Sequence, residues 1–358
     1  MKSNLLEQRL VARIDEKLSG AAPGLQLQVH QNGRKLCDLS VGDTYPYYDL
    51  ASLTKIIFTV PALMIAFEKS QWNFDTSVDQ LWPEFPVPQI KITQLLTHCA
   101  GAPWWYPFHK EMDLQTSEED RRKFVKEKIQ NLEWKPTDDS VYSDVGMLAL
   151  GFCLEAIVGK PLVEVWKDLK ATLYSQLSTL DFHYSNTIPE PQRFYAPTER
   201  CPWRGRLVQG EVHDENAWAL GGVSSHAGLF GSIDDVSWYG LFLRSQLTGI
   251  SKTFLKSRTV KVFTNRARPL GKGDWALGFM MPTQGSSSCG DYFSPYSVGH
   301  TGFTGTSIWY DPRADLLVVL LSNRVLLGRD REDFKKLRPM IHNWVVEELV
   351  EGLGAQSS

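Results

Sequence analysis

The chain is 358 residues long, with 42% hydrophobic and 22% charged residues. This is an ordinary globular composition, long enough for a large core and about two domains. The formal charge of −3 comes without a polybasic stretch, which excludes nucleic acid and anionic membrane surfaces as expected partners.

The N-terminus and the cysteines bear on the compartment. Residues 1–9 contain neither the apolar core of about 7–15 residues nor the small-residue cleavage site of a secretory signal. No stretch reaches the ~18–20 apolar residues of a membrane span. The sequence therefore predicts a cytoplasmic protein, or a periplasmic or secreted one if a signal segment has been removed. Five cysteines without a C-x-x-C pair predict free thiols in a reducing compartment.

The first elements are a helix and a hairpin. Apolar residues at helical spacing predict an amphipathic helix over residues 5–18. Residues 25–30 alternate between apolar and polar side chains, turn at Asn32-Gly33 and return through residues 35–41. This pattern predicts two antiparallel strands joined by a tight turn.

An uncharged helix over residues 56–67 begins just after Ser52 and Lys55. Because it is apolar on nearly all sides, we expect it to be buried in a large core. Residues three apart share one helix face, so the hydroxyl and the amine should meet. Burial lowers the pKa of a lysine, which can then act as a base towards the serine. The alternative is a capping serine followed by a surface lysine.

The middle of the chain is predicted to be mainly helical. The charged run over residues 118–128 is typical of a solvated helix face. Tyr142-Ser143-Asp144 follows a polar turn and precedes an apolar helix over residues 145–158. These segments predict a helical region that contributes a second polar triplet at the start of a helix.

The C-terminal part returns to strands. Residues 307–310 and 316–321 flank a turn at Asp311-Pro312, and a last helix covers residues 333–349. Strands at both ends with helices between them predict an antiparallel sheet built from the two termini.

The predicted fold class is therefore α/β in the α+β sense. A sheet-based domain is expected to comprise residues 1–69 and 261–358, and a mainly helical inserted domain residues 70–260. The active site is expected in the cleft between the two.

Three short motifs suggest a family. Ser52-Leu53-Thr54-Lys55, Tyr142-Ser143-Asp144 and His300-Thr301-Gly302 occur in this order. The order resembles the three-box pattern of penicillin-recognising serine enzymes. The chain thus resembles the class C β-lactamase family, which includes DD-peptidases, D-amino-acid peptidases and carboxylesterases. Residues 95–101, Leu-Leu-Thr-His-Cys-Ala-Gly, and the Gly305-Thr306-Ser307 triplet add to a resemblance that covers about residues 5–350.

The resemblance implies a β-lactamase/transpeptidase-like fold and roles for individual residues. Ser52 would be the nucleophile, and Lys55 and Tyr142 would carry its proton. In the family nearby cations acidify the phenol, which otherwise has a pKa of ~10. The backbone N–H groups of Ser52 and Phe303 would form the oxyanion hole.

Substrate contacts are expected from four residues of the second and third boxes. Asp144 stands where the family has asparagine, and a carboxylate cannot donate the hydrogen bond of an amide. It could hold Lys55 in its charged form or accept a substrate ammonium, and it disfavours β-lactam turnover. His300 replaces a lysine and, with Thr301, would supply hydrogen bonds and a positive charge that varies near pH ~6.5. Gly302 would let the strand approach the substrate.

Residues 210–230 are rich in glycine and polar groups and have three interpretations. They could form a wall of the active site, a self-bonded structural loop, or a zinc site with His213, Asp214 and His226. Because no tight ligand spacing supports zinc, we predict no metal and assign substrate binding to His213 and Asn216.

Aromatic residues follow residues 95–101. They could line an apolar acyl pocket or pack in the core: Trp104, Trp105, Tyr106 and Phe108.

The sequence predicts a serine acyl hydrolase that acts through a covalent acyl-enzyme without a cofactor. The expected partner is a small-molecule or peptide substrate, either an ester or a D-amino-acid-containing peptide of the cell-wall type. The alternatives are a β-lactamase and a catalytically silent protein that binds peptidoglycan or a β-lactam. The intact Ser52, Lys55 and Tyr142 argue against the silent protein. No Gly-x-Ser-x-Gly elbow of an α/β-hydrolase is present.

Overall fold

The computed structural model describes residues 5–174, 180–184, 191–250, 255–269 and 271–356. Residues 1–4 of the N-terminal stretch lie outside them. The helices are α1 Leu5–Leu18, α2 Val60–Glu68, α3 Val78–Leu81, α4 Ile92–Leu96, α5 Phe108–Glu111, α6 Glu118–Gln130, α7 Asp144–Val158, α8 Leu162–Leu169, α9 Glu215–Ala219, α10 Ile233–Thr248, α11 Ser257–Thr264 and α12 Asp333–Gln356. The strands are β1 Gly24–Gln31, β2 Arg34–Gly42, β3 Tyr48–Asp49, β4 His183–Tyr184, β5 Glu199–Cys201, β6 Arg206–Val208, β7 Leu229–Gly231, β8 Val298–Thr301, β9 Ser307–Asp311 and β10 Leu316–Ser322.

The main sheet is built from both termini, as predicted. Its five strands run antiparallel in the order β2-β1-β10-β9-β8. Leu27 of β1 lies opposite Leu320 of β10 and Leu39 of β2. Asn32 and Gly33 form the hairpin turn with φ of 52° and 75°, a conformation that asparagine and glycine tolerate best.

Helices cover both faces of this sheet. Every residue of β10 is buried, and successive side chains of a strand point to opposite faces. Val318 joins an apolar cluster that includes residues of α1 and α12. Leu317 and Val319 join the larger cluster, to which α10 and the helices of the middle of the chain contribute. The sheet is therefore the central layer of an α+β fold.

Helix α10 joins the middle of the chain to the sheet. A Cβ on Gly240 would lie 2.5 Å from the Leu317 side chain, so the helix packs closely on β10. Arg244 forms two hydrogen bonds of 2.7 and 2.6 Å to Asp315 in the turn before β10. The domain division at residue 260 stays a proposal. It assigns α10 to the helical part, although this helix packs directly on the sheet.

Several local predictions are confirmed. The α1 helix has the predicted bounds, α6 buries only Val125 and Ile129, and α12 extends past the predicted end at residue 349 to Gln356. All five cysteines are buried and unpaired. Among the described residues no single helix is long and apolar enough to span a membrane. Within the same residues one pair of helices, Asp144–Val158 with Leu162–Thr172, passes that test together, but it is bent by 72°.

The close packing at Gly240 gives a stability prediction. In Gly240→Ala the new methyl group meets the fully buried Leu317, and overpacking of this kind costs about 1–3 kcal/mol. We expect a lower urea unfolding midpoint. Gly146→Ala in α7 is the matched control, because its Cβ would lie 3.4 Å from the nearest atom and alanine favours a helix by about 1 kcal/mol. Equal midpoints for both variants would contradict the packing argument.

Candidate active site

A strained turn presents Ser52. The turn follows β3, and the Leu50 N–H donates to Leu229 O of β7 at 2.9 Å. Ala51 has a φ of 48°, which is unfavourable for a residue with a Cβ. The Asp49 carboxylate holds this conformation by accepting the Ala51 N–H at 2.8 Å. The strain lies immediately before the candidate nucleophile.

The helix behind Ser52 begins with a wide turn rather than the predicted regular α-helix. Lys55–Thr59 is π-helical, and the Val60 N–H donates to Lys55 O. Pro61 has no N–H to donate to a carbonyl of the preceding turn. The Ile56 carbonyl in that turn instead accepts a hydrogen bond from the Tyr239 hydroxyl. Single π turns inside α-helices are frequent at functional sites.

Ser52, Lys55 and Tyr142 meet in one hydrogen-bonded cluster. The Lys55 Nζ lies 2.9 Å from Ser52 Oγ, and the Tyr142 hydroxyl lies 2.7 Å from the same oxygen. Residues 90 positions apart are therefore brought into direct contact by the packing of α7 against the nucleophile helix. Both the amine and the phenol have hydrogen-bond reach to the serine hydroxyl.

Lys55 is buried and fully bonded. It is 1% exposed, and its three donors reach Ser52, Asp144 Oδ1 at 2.8 Å and His226 O at 2.9 Å. Burial lowers the pKa of Lys55, while Asp144 opposes this shift. The expected fall in the lysine pKa is thus found together with the expected Asp144 ion pair. The alternative of a surface lysine is wrong.

Tyr142 is not acidified, contrary to the expectation from the resemblance. Burial and the Asp144 carboxylate raise its pKa well above the usual value, although the hydrogen bond with Ser52 opposes the shift. The phenol also donates to Asp144 Oδ1 at 3.2 Å. Its resting form is the neutral phenol, which can pass a proton on but does not act as a standing base.

Helix capping fixes the place of Asp144. Ser143 is the N-cap of α7; its hydroxyl accepts the Gly146 N–H at 2.8 Å and donates to Pro103 O at 2.6 Å. Asp144 is the first residue of the helix, where a carboxylate is favoured by the helix dipole. The capping serine therefore orients both neighbours, Tyr142 and Asp144.

His98 is a residue of the site that sequence reasoning did not assign. Its Nδ1 accepts the Ser143 N–H at 3.2 Å, and its ring lies 4.8 Å from that of Tyr142 and 4.3 Å from that of Trp275. Burial lowers its pKa well below the usual value, so the ring is neutral. The motif at residues 95–101, which contains His98, could have indicated this role. No motif of the sequence indicated Trp275.

His300 does not supply the positive charge that was predicted. It is 1% exposed, and burial together with the Lys55 charge lowers its pKa to about 3. Its Nδ1–H donates to Thr301 O at 2.8 Å, and its ring centroid lies 6.1 Å from that of Tyr142. The neutral ring forms part of the wall behind Tyr142.

Gly302 allows a close approach of two backbone segments. A Cβ there would lie 2.1 Å from Thr306 Oγ1 and 2.8 Å from Leu50 O. Thr301, at the end of β8, is half-buried, and its hydroxyl contacts the Met280 sulfur at 3.8 Å. The glycine thus lets the loop after β8 lie against the turn that carries Ser52.

Two backbone donors remain available beside the nucleophile. Within the described residues, neither the Ser52 N–H nor the Phe303 N–H donates to another group. Ser52 and Phe303 both line the cavity. They are the pair that the resemblance implies for an oxyanion hole.

The cavity in front of Ser52 has a volume of about 490 Å³. Trp104, which is 65% exposed, Trp105 and Phe303 all line it. Tyr106 and Phe108 do not line it, and Phe108 is instead buried in the core.

The two substrate-binding assignments in residues 210–230 have different outcomes. His213 lines the cavity. Asn216 does not: it is 2% exposed, donates to Tyr106 O at 2.8 Å and accepts the His109 N–H at 3.1 Å. The Asn216 amide therefore holds the segment of Tyr106 and His109 in place. This corrects the prediction that Asn216 binds substrate.

The zinc interpretation of residues 210–230 is not supported by geometry. His213 Nε2 lies 2.9 Å from Glu199 Oε2, and His226 Nε2 lies 3.0 Å from Asp214 Oδ1. Each imidazole therefore has its own carboxylate partner, and the three suggested ligands do not converge.

A second group, Glu199, Cys201 and Glu215, has ligand atoms within 4.8 Å of one another. The protein already supplies its cation, because Arg329 lies 2.7 Å from each carboxylate. Although burial opposes it, hydrogen bonds from His213 and Arg329 lower the pKa of Glu199 to about 2. The group is an internal ion-pair network.

Known proteins resemble this chain along most of its length. A model of the Beta-lactamase family matches residues 6–338. "Putative D-alanyl-D-alanine carboxypeptidase" of Salmonella gallinarum is 31% identical over 78% of this chain and 70% of its own. N-acetylmuramyl-L-alanine amidase of Bacillus subtilis is 29% identical over 87% and 79%, respectively.

Solved structures share the fold. EstCE1, described as a hydrolase with promiscuous acyltransferase activity, superposes with a TM-score of 0.70 over 95% of this chain and 97% of its own, at 18% identity. The β-lactamase/transpeptidase-like fold is thereby confirmed. The chain belongs to the Beta-lactamase family of serine hydrolases.

Proposed function

We propose that this protein is a serine acyl hydrolase that acts through a covalent acyl-enzyme on an ester or a D-amino-acid-containing peptide of the cell-wall type. The observation that carries the proposal is the cluster in which Lys55 Nζ and the Tyr142 hydroxyl lie 2.9 and 2.7 Å from Ser52 Oγ. A hydroxyl is a weak nucleophile unless an adjacent base takes its proton.

In the acylation step Ser52 Oγ attacks the substrate carbonyl carbon. The lowered pKa of Lys55 allows the neutral amine to accept the serine proton. The Ser52 and Phe303 N–H groups stabilise the oxyanion, an interaction worth ~2.7–4 kcal/mol for one donor. The Tyr142 phenol gives its proton to the leaving group and takes one back from Lys55.

In the deacylation step a water molecule attacks the acyl-enzyme carbonyl. The same two groups accept the water proton and return one to Ser52 Oγ, which releases the acid product. Because Tyr142 rests as the neutral phenol, proton transfer is a relay between Lys55 and Tyr142 rather than the action of a free phenolate.

The substrate class is supported by the relatives and by Asp144. The carboxypeptidase and amidase named above have names that refer to cell-wall peptides. Asp144 lacks the donor that an asparagine would offer to a substrate carbonyl, which disfavours the β-lactamase alternative. The complete Ser52 cluster disfavours a catalytically silent binding protein. We place this site in the cleft between the sheet-based and helical parts.

The nucleophile assignment can be tested with Ser52→Ala. Removing one oxygen should abolish ester turnover and fluorophosphonate labelling while leaving the circular dichroism spectrum unchanged, since losses in such catalytic units reach ~10⁴-fold. Intact-protein mass spectrometry detects the label. Ser40→Ala, an exposed serine of β2, should retain both activities. Residual turnover above about one per cent of wild type would refute the assignment.

The relay between Lys55 and Tyr142 predicts non-additive kinetics. Lys55→Met and Tyr142→Phe should each lower kcat far more than they raise KM, because both groups act in the transition state. The double variant should be little worse than the more damaging single variant. Tyr296→Phe, an exposed tyrosine, serves as the control. Multiplying effects of the two changes would show two independent roles.

Asp144→Asn tests the charge and the donor at this position. Asp144 opposes the lowering of the Lys55 pKa, so its removal should lower that pKa further. The acidic limb of the kcat/KM profile should then move to lower pH. The new amide donor should also raise penicillin acylation relative to p-nitrophenyl ester acylation by several-fold, about the effect of one hydrogen bond of ~0.5–1.5 kcal/mol.

The two readouts separate the two roles of Asp144. An unchanged acidic limb would show that Asp144 does not act on Lys55. A constant penicillin-to-ester ratio would show that it does not set specificity. Faster hydrolysis of penicillins than of esters by the wild-type protein would favour the β-lactamase alternative.

A further inference from the structure

The charged side chains around the cavity are mostly acidic. Among the described residues, five carboxylates and two basic side chains line it, which leaves a net charge of −3 before any histidine charge is counted. They are Asp144, Asp214, Glu215, Asp330 and Glu332, with Arg329 and Lys335. In a cavity whose walls have a low dielectric constant, such an excess of one sign attracts the opposite charge.

Both basic residues are already paired within the protein. Arg329 binds Glu199 and Glu215 at 2.7 Å, and Lys335 binds Glu332 at 2.7 Å. His300 is buried and neutral, so it supplies no positive charge to a substrate. The described part of the cavity thus lacks a free cation for a substrate carboxylate.

Three of the five acidic residues, in contrast, keep free oxygens. Asp144 and Asp214 use only Oδ1 in their hydrogen bonds to described residues. Asp330 is exposed and makes no ion pair with a described residue. The Lys55 Nζ lies 2.9 Å from Ser52 Oγ and 2.8 Å from Asp144 Oδ1. The Asp144 carboxylate is thus only one atom away from the nucleophile.

An aromatic wall provides a second feature that suits a cation. Trp104 is 65% exposed, and its ring lies 6.0 Å from that of Trp105. Both line the same cavity as the carboxylates. A cation over an indole face is stabilised by the quadrupole of the ring.

From the charge balance and the aromatic wall we infer that the cleft selects acyl donors with an ammonium group close to the scissile carbonyl and discriminates against those with a carboxylate there. This inference rests on the proposed acyl-hydrolase function and narrows its substrate class. Asp144 and Asp214 line the same cavity as Ser52, and their charges would attract an ammonium on the α-carbon of the acyl group. The two carboxylates outweigh the charge of Lys55 even when that lysine is protonated.

The experiment uses three benzyl esters of the same skeleton. Their α-substituents are ammonium in alanine benzyl ester, hydroxyl in lactate benzyl ester and carboxylate in monobenzyl methylmalonate. Both enantiomers of the first two are assayed at pH 6.0, below the α-amine pKa of ~7.7. Each kcat/KM is divided by the hydroxide-catalysed rate constant of the same ester, because the substituents also change intrinsic reactivity.

We expect the normalised values to fall in the order ammonium, hydroxyl, carboxylate, with about threefold to tenfold between neighbours. Raising the ionic strength from about 0.01 to 0.5 M should reduce these ratios, because the interacting charges are partly exposed. Asp330→Asn should lower the ammonium-to-hydroxyl ratio. Asp15→Asn, an exposed carboxylate of α1 that does not line the cavity, should leave it unchanged.

The outcomes separate this inference from the proposed function. Ser52-dependent hydrolysis with equal or reversed normalised values overturns the charge selection alone. Ratios that do not respond to salt or to Asp330→Asn also overturn it. Absence of Ser52-dependent hydrolysis of all three esters overturns the acyl-hydrolase proposal, and this inference with it.

Discussion

The burial of Lys55 is the constraint on which the site depends. Burying a lysine until it is only 1% exposed removes several kcal/mol of hydration, and a partner for each of its donors is needed to offset this loss. Here Ser52, Asp144 and the His226 carbonyl provide the partners, and they come from three distant segments. Bringing them together fixes the nucleophile turn, the start of α7 and residues 210–230 relative to one another.

This arrangement is maintained by local strain and close packing. Ala51 has an unfavourable φ of 48°, which costs of order 1–3 kcal/mol and is held by Asp49. Gly302 lets the loop after β8 contact the same turn, where any Cβ would collide with Leu50 O. The strained turn and the close packing therefore hold the Ser52 hydroxyl and the two free backbone donors beside the cavity.

The absence of a charged group at His300 changes the electrostatics of the cleft. A neutral histidine leaves Lys55 as the positive group at the nucleophile, and Asp144 balances it. The remaining cations near the cavity bind carboxylates of the protein. The active-site cavity is consequently acidic, and the same carboxylate that holds Lys55 can also influence the choice of substrate.

The sequence by itself determined the family, the antiparallel sheet from both termini and the identity of Ser52, Lys55 and Tyr142 as site residues, because these follow from local periodicity and from motif order. Tertiary structure decided the rest. The neutral state of His300, the raised pKa of Tyr142, the internal use of Asn216 and the participation of His98 and Trp275 all follow from burial and from contacts between distant segments. Solvation and pairing of a side chain are properties of its surroundings in space, which its neighbours in sequence do not specify.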